Sequence, residues 1–172
     1  ADDRRTVMIH SQVQRPDQLA EFVRLGICPS YFTGHCFFWG DTHRANLGPE
    51  RADRISPMRS AAEAGLVVSN HCDFPVTPVD PFHQLWTAMT RTSRTGVVLG
   101  PDERVDGYVA LQALTTGAAY QVFEENRKGR IAAGLLADLA VLSEDPLAAG
   151  PDRIRDVTVL ETIKEGVTVY AA

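Results

Sequence analysis

Residues 66–76 (LVVSNHCDFPV) place two potential metal-binding side chains directly after an apolar segment. The β-branched opening predicts a buried strand, and Pro75 indicates where it ends. Side chains alternate along an extended chain, so His71 and Asp73 share one face while Cys72 points the opposite way. A divalent ion would compensate the cost of desolvating the Asp73 carboxylate. Alternatively, Asp73 accepts backbone N–H groups in the turn before Pro75 and caps the strand end.

A third candidate, His10, follows the β-prone residues 6–9 (TVMI). A helix is predicted after residue 15 and a second strand over residues 27–32, beyond which lies His35. His10 and Asp73 are 63 residues apart, which is close to two βα units of about 30 residues each. One strand should therefore separate theirs. Because parallel barrel strands end on one common face, His10, His35 and Asp73 are expected to converge there.

Residues 34–49 are predicted to be a long connection rich in aromatic residues, and such long loops are usually functional. Phe37, Phe38 and Trp39 either line an apolar substrate pocket or fill a gap in the core or in a subunit contact. Further helices are predicted over residues 51–64, 81–91, 102–113 and, from a Thr115 cap, to residue 123. Alternation between glycine turns predicts antiparallel strands at 129–131, 137–142, 157–162 and 166–170.

Composition restricts the class of protein. The 172 residues are 44% hydrophobic and 23% charged, as in ordinary globular domains. A net charge of −5 argues against a nucleic-acid-binding surface. No apolar segment approaches 18 residues, so no membrane span is expected. Cys28, Cys36 and Cys72 lack CxxC spacing, which favours a reducing, cytoplasmic compartment over a disulfide framework.

Three motifs stand out in the sequence: residues 47–52 (LGPERA), 71–76 (HCDFPV) with 78–81 (PVDP), and 129–142 (GRIAAGLLADLAVL). Together they resemble the amidohydrolase superfamily, specifically the metal-dependent hydrolases related to N-substituted formamide deformylases. The resemblance implies an α/β fold: about three βα units from the C-terminal part of a (β/α)₈ barrel over residues 1–128, then returning strands of a small β-sandwich over residues 129–172. Leu135 departs from the family pattern, which usually has lysine there.

The resemblance also implies roles for individual residues. His10 would be the metal ligand that ends the sixth barrel strand, and Asp73 the catalytic aspartate and second ligand at the end of the eighth. The implied reaction is hydrolysis of an amide-type C–N bond in a small molecule by water activated on a divalent metal, expected to be zinc. His35 and His71 orient the substrate or the ligands, or are structural. His43 and His83 are expected to be surface or packing residues.

The family's His-x-His motif, its acidic or modified-lysine ligand and its fifth-strand histidine have no counterpart here. A catalytic zinc takes about three protein ligands, and His10 and Asp73 are two. We therefore expect a C-terminal portion that is inactive alone, completed as a homo-oligomer or by an N-terminal segment, since free sheet edges favour association. The alternative is a non-catalytic structural or regulatory fragment. A Cys72 nucleophile with His71 or His35 as base is disfavoured, because adjacent strand residues face opposite ways.

Overall fold

Three parallel strands form the sheet that carries the candidate residues. The computed structural model describes residues 3–172, and its first sheet has the order β1 (Val7–His10), β2 (Cys28–Tyr31), β3 (Ser69–Asn70). His10 pairs with Tyr31, and Tyr31 with Asn70, so the C-terminal ends of the strands are level. The predicted order, with one strand between those of His10 and Asp73, is confirmed. The third strand is much shorter than expected, because residues 66–68 are not paired.

Helices follow each of these strands, and a second sheet ends the chain. This sheet has the antiparallel order β4 (Leu139–Leu142), β5 (Val159–Lys164), β6 (Val167–Ala171), as predicted for the tail. Residues 129–131, however, form an irregular loop instead of a strand, and Ile131 is 90% exposed. The helices are α1 (Pro16–Leu25), α2 (Gly34–Leu47), α3 (Pro49–Ala52), α4 (Met58–Glu63), α5 (Pro81–Thr90), α6 (Gly107–Leu114), α7 (Thr116–Gln121) and α8 (Pro146–Arg153).

The predicted loop over residues 34–49 is wrong, because most of it is helix α2. Glycines inside the segment and apolar residues all round it hide the usual amphipathic pattern. Gly40 is required by packing: a Cβ there would lie 2.8 Å from Leu99 Cδ1 and 3.2 Å from Ser93 Cβ. Helix α2 is thus stabilised by the close approach of its neighbours instead of by intrinsic propensity.

The single helix predicted over residues 51–64 is also wrong. Helix α3 ends at Ala52 and α4 begins at Met58, and the residues between them form an irregular link. Pro57 cannot donate a helical hydrogen bond, and it disfavours helical geometry in the residue before it. Ser56 lies in the left-handed region, with a φ of 45°. The link contacts the residues that follow β1, so it lies close to the strand that carries His10.

The helices predicted over 102–113 and up to 123 are shorter than expected. A 3₁₀ turn occupies Pro101–Glu103, and α6 starts only after Asp106, whose carboxylate accepts a hydrogen bond from Val109 N at 2.8 Å. Thr115 does not cap α7. Its hydroxyl donates instead to Leu111 O of the preceding helix, at 2.8 Å, because the two helices are joined with almost no link.

The main core lies between the parallel sheet and helices α4, α5, α6 and α8. Tyr31 and Met58 are almost completely buried there. The predicted apolar face of α5 belongs to this core: Leu85 and Met89 are buried, and Phe82 and Trp86 pack against it. No helix within residues 3–172 has the length and apolar character needed to cross a membrane.

Candidate active site

His10 and Asp73 lie side by side at the C-terminal edge of the parallel sheet. His10 is the last residue of β1, and Asp73 comes three residues after β3. His10 Nε2 is 3.9 Å from Asp73 Oδ2, and the two side chains are 41% and 43% exposed. The two side chains lie together because the C-terminal ends of these parallel strands are level. Both groups remain accessible to a ligand.

His71 holds the other side of the His10 ring. Its backbone N–H donates to Tyr31 O at 2.9 Å, which extends the sheet pairing by one residue. Its Nε2 lies 3.2 Å from His10 Nδ1, so a hydrogen bond joins the two rings. Burial, followed by the neighbouring His10, lowers the pKa of His71. A neutral His71 can accept the proton of His10 Nδ1, and this leaves His10 Nε2 free to bind a ligand beside Asp73.

The carboxylate of Asp73 does not cap its strand. Asp73 adopts a φ of 54°, and its carbonyl oxygen accepts Val76 N at 2.8 Å. No backbone N–H within residues 3–172 donates to its side chain; the side chain that approaches the carboxylate is that of His10, at 3.9 Å. The alternative prediction, that the Asp73 carboxylate caps the end of the strand, is therefore wrong. The carboxylate is left available for chemistry.

Helix α2 brings a row of aromatic rings to the same edge. His35, Trp39 and His43 are spaced by four residues, so they share one face of the helix. His35 Nδ1 lies 3.0 Å from His43 Nε2, and the His35 ring is 4.7 Å from Trp39. The Phe32 ring lies between the two histidine groups, 4.6 Å from His35 and 5.2 Å from His71. His35 thus joins the site through Phe32, as its position after β2 predicts.

The other two aromatic residues of α2 face elsewhere. Phe37 contacts His83 and Trp86 of helix α5, with ring centroids 4.9 and 5.6 Å apart, and Phe38 contacts His83 at 5.3 Å. Both belong to the packing between α2 and α5, and Trp39 alone of the predicted three contacts Phe32 and His35. His83 is a packing residue, as expected. Helical periodicity places Trp39 on one side of α2 and the two phenylalanines on another, and a predicted loop could not show this.

Sequence reasoning missed Phe32 and His43. The four-residue spacing of His35, Trp39 and His43 was a signal for His43, but it becomes meaningful only if the segment is helical. Cys72, the alternative nucleophile, makes no hydrogen bond from its thiol to His71 or His35 in the described part of the chain. A thiol–imidazole pair is therefore not assembled here.

Burial makes His35 a weak base. Desolvation, reinforced by the nearby His43, His10 and His71, lowers the pKa of His35 from 6.5 to about 4, although Asp73 acts in the opposite direction. We expect an NMR titration to show His35 neutral down to about pH 5. Between pH 6.5 and 4 the unfolded chain binds a proton at this residue that the folded protein does not, so stability should fall as pH falls through that window.

The matched variant is His35→Gln, which removes the titrating group while keeping a polar side chain. Its free energy of unfolding should depend less steeply on pH between 6.5 and 4 than that of the wild type. Identical slopes for the two proteins would show that His35 titrates normally in the folded state.

Comparison with known proteins shows the family of this chain. A family model described as "Amidohydrolase family" matches residues 1–170. This chain belongs to the amidohydrolase family. The resemblance noted from the three motifs is therefore confirmed.

The N-substituted formamide deformylase of Arthrobacter pascens is 32% identical to this chain over 162 residues, and the match covers 94% of this chain and 30% of that protein. The putative amidohydrolase YtcJ of Bacillus subtilis (strain 168) is 28% identical over 169 residues, covering 95% and 31%. An uncharacterized metal-dependent hydrolase of Pyrococcus furiosus superposes with a TM-score of 0.70 at 26% identity, over 82% of this chain and 28% of that one. The chain spans about a third of the length of these relatives.

Proposed function

We propose that this chain contributes His10 as a metal ligand, and Asp73 as a ligand and proton-transfer group, to a metal-dependent amidohydrolase that cleaves an amide-type C–N bond. The observation that carries the proposal is the pair itself, with His10 Nε2 3.9 Å from Asp73 Oδ2. Zinc binds imidazole nitrogen and carboxylate oxygen at about 2.0–2.2 Å. Both atoms can therefore reach one ion without rearrangement of the backbone.

The donor set fits such an ion in kind but is incomplete in number. Within residues 3–172 no three His, Cys, Asp or Glu side chains are grouped so that they could hold a metal. A catalytic zinc needs about three protein ligands, so at least one more must come from protein outside these residues. We propose zinc, because imidazole combined with carboxylate is a donor set that suits it.

The bound ion would supply Lewis acidity and a lowered pKa for the attacking water. Asp73 takes the proton of that water and passes it to the leaving nitrogen as the C–N bond breaks. Its exposed carboxylate suits this role, since no backbone donor within the described residues competes for the oxygens. His71 fixes the His10 ring by the hydrogen bond at Nδ1, as supporting residues do for metal-binding histidines.

An N-substituted formamide is the substrate class we propose, on the basis of the relative from Arthrobacter pascens. Phe32 and Trp39 form an aromatic wall beside His71 and His35, and an apolar N-substituent would pack against it. Neutral His35 would orient the polar part of the substrate by a hydrogen bond. Phe38, whose ring centroid lies 5.6 Å from that of Trp39, would support this wall, and Phe37 packs against Phe38.

We further propose that strands β1 to β3 are the sixth to eighth strands of a (β/α)₈ barrel. Support comes from the parallel order and from β1, which is an edge strand of this sheet and carries the exposed apolar residues Met8 and Ile9, 45% and 56% exposed. Exposed apolar strand edges favour pairing with another strand. The missing strands would come from an N-terminal segment or from a second chain, and they would bring the remaining ligands.

Residues 129–172 are proposed to form a second unit, part of a small β-sandwich. A cleft of about 710 Å³ lies between helices α6 and α7 on one side and β4 on the other, and Leu111, Val122 and Leu139 line it. An apolar cleft of this kind between two layers supports a unit boundary near residue 128.

Calorimetric titration with Zn²⁺ tests the proposed function. We expect tight binding when the protein is combined with a segment that carries the missing barrel strands, and weak binding by the purified chain alone. His10→Ala should lower the affinity of the combined assembly at least about tenfold. The matched control is His83→Gln, a histidine that packs against Phe37 and Trp86, and it should bind as the wild type does.

Two results would contradict the proposal. One is unchanged Zn²⁺ affinity in His10→Ala, which would place the ion elsewhere. The other is no Zn²⁺ binding in any combination, which would favour a non-catalytic fragment of the amidohydrolase fold.

A further inference from the structure

Arg91 is a buried cation that is bound by carbonyl groups instead of a carboxylate. Its side chain is completely inaccessible to solvent, and it forms no ion pair within residues 3–172. Burying an unpaired charge is costly unless hydrogen bonds compensate it. The hydrogen bonds that this guanidinium makes must therefore offset the cost of burying its charge.

The Arg91 guanidinium joins two separate segments. Its Nε donates to Leu99 O at 2.6 Å. On the other side, Nη1 donates to Ser56 O at 3.0 Å and Nη2 to Ile55 O at 2.6 Å, with a longer contact to Asp53 O at 3.4 Å. Hydrogen bonds from a charged donor are stronger than neutral ones, and a planar fork fixes their directions. Arg91 thus sets the position of the link between helices α3 and α4.

That link in turn forms hydrogen bonds with the residues that follow β1. Ser56 N donates to Gln12 O at 2.9 Å, and Ser56 Oγ donates to Gln12 Oε1 at 3.1 Å. Val13 and Ile55 form an isolated antiparallel bridge beside these bonds. A displacement of residues 55–56 would therefore also displace residues 12–13.

The intervening turn is strained. His10 has a φ of 65° and Ser11 a φ of 42°, in the left-handed region that residues other than glycine adopt at a cost. Such conformations persist only where the surroundings impose them. The contacts of residues 55–56 with Gln12 and Val13 supply that restraint. Without them the turn could relax, and the His10 ring would then rotate away from Asp73.

We infer that Arg91 is a positioning residue for His10: through Ile55, Ser56 and Gln12 it holds the strained turn that directs the imidazole toward Asp73. The inference rests on the proposed role of His10, although the conformational coupling itself does not depend on a metal. Arg91 touches neither His10 nor Asp73, so its effect on the site is indirect.

The test substitutes Arg91→Lys, which keeps the charge but cannot reach the same set of carbonyls with one ammonium group. Two quantities are measured by NMR at a fixed pH without metal: the imidazole resonances of His10, and the exchange rate of the Ser56 amide hydrogen, which is bonded to Gln12 O. We expect the His10 resonances to shift and the Ser56 amide to exchange at least about tenfold faster. Zn²⁺ affinity of the combined assembly should fall at least about tenfold.

Ile154→Ala is the control for general destabilisation. Ile154 is fully buried in the 3₁₀ turn Ile154–Asp156 that packs on α5 and α8, and its truncation leaves a cavity. It should lower stability while the His10 resonances stay in place. If Arg91→Lys fails to fold, Ser56→Ala decides the question, because it removes the hydroxyl bond to Gln12 alone; a smaller shift of the His10 resonances is then expected.

Unchanged His10 resonances in Arg91→Lys, or in Ser56→Ala where the first variant cannot be prepared, would overturn the inference. An equal shift in Ile154→Ala would overturn it too, since it would reduce the effect to stability. Failure of the proposed function looks different: His10→Ala would leave Zn²⁺ binding unaltered while Arg91→Lys still moved the His10 ring.

Discussion

Asp73→Asn is expected to lower kcat for the proposed amide hydrolysis in the complete assembly by about 10²–10⁴-fold, the range that a positioned proton-transfer group contributes. An amide cannot take the proton of the attacking water. Asparagine does tolerate the left-handed backbone that Asp73 adopts, with its φ of 54°, so the turn should be preserved. Steady-state kinetics with an N-substituted formamide, and circular dichroism to check folding, measure the two expectations.

Asp80→Asn is the matched control for the loss of one negative charge from the segment that follows β3. Asp80 accepts a hydrogen bond from His83 N at 3.0 Å and caps α5, and asparagine caps helices equally well. Its kcat should stay within about twofold of the wild type, because Asp80 has no part in the proposed proton transfer. If Asp73→Asn retained as much activity as Asp80→Asn, Asp73 could not be the proton-transfer group.

Gly100→Ala is expected to destabilise the fold by about 3 kcal/mol or more, because strain and overpacking coincide there. Gly100 has a φ of +53°, and a Cβ at this residue would lie 1.8 Å from Asp53 O. That carbonyl oxygen belongs to the link held by Arg91, so it cannot move freely. Urea denaturation followed by circular dichroism gives the free energy of unfolding.

Gly96→Ala separates the two causes. Gly96 has a φ of +88°, but an added methyl group would meet nothing within 4 Å, so its substitution imposes backbone strain without a clash. A loss of about 1 kcal/mol is expected there. Equal losses at the two glycines would mean that the contact with Asp53 is relieved at little cost.

Much of the candidate site could be predicted because it depends on local patterns. A β-prone segment followed by a polar residue marks the end of a strand, and two such segments separated by two βα units place His10 and Asp73 at one edge. The antiparallel tail could be predicted for a similar reason, since its glycine turns and alternating residues are local. Helix α5 followed from the spacing of its apolar residues.

The errors lie where packing opposes propensity. The length and aromatic content of residues 34–49 suggested a loop, but close approach to Phe32 and Leu99 makes glycine necessary at positions 34 and 40 of helix α2. That error concealed the shared face of His35, Trp39 and His43, and it grouped Phe37 and Phe38 with Trp39. Pro57 was a visible signal that the helix over residues 51–64 must break, and it was given too little weight.

By itself, the sequence determined the family, the order of the three parallel strands, the antiparallel tail and the two strand-end residues proposed for catalysis, because periodicity, turn residues and motifs act over short stretches of chain. The tertiary structure decided which aromatic rings face His71, how His71 holds His10, and why Arg91 is buried. These features depend on contacts between residues 35 or more positions apart, such as Arg91 with Ser56 and His10 with His71. Their partners are chosen only when the layers of the fold pack together.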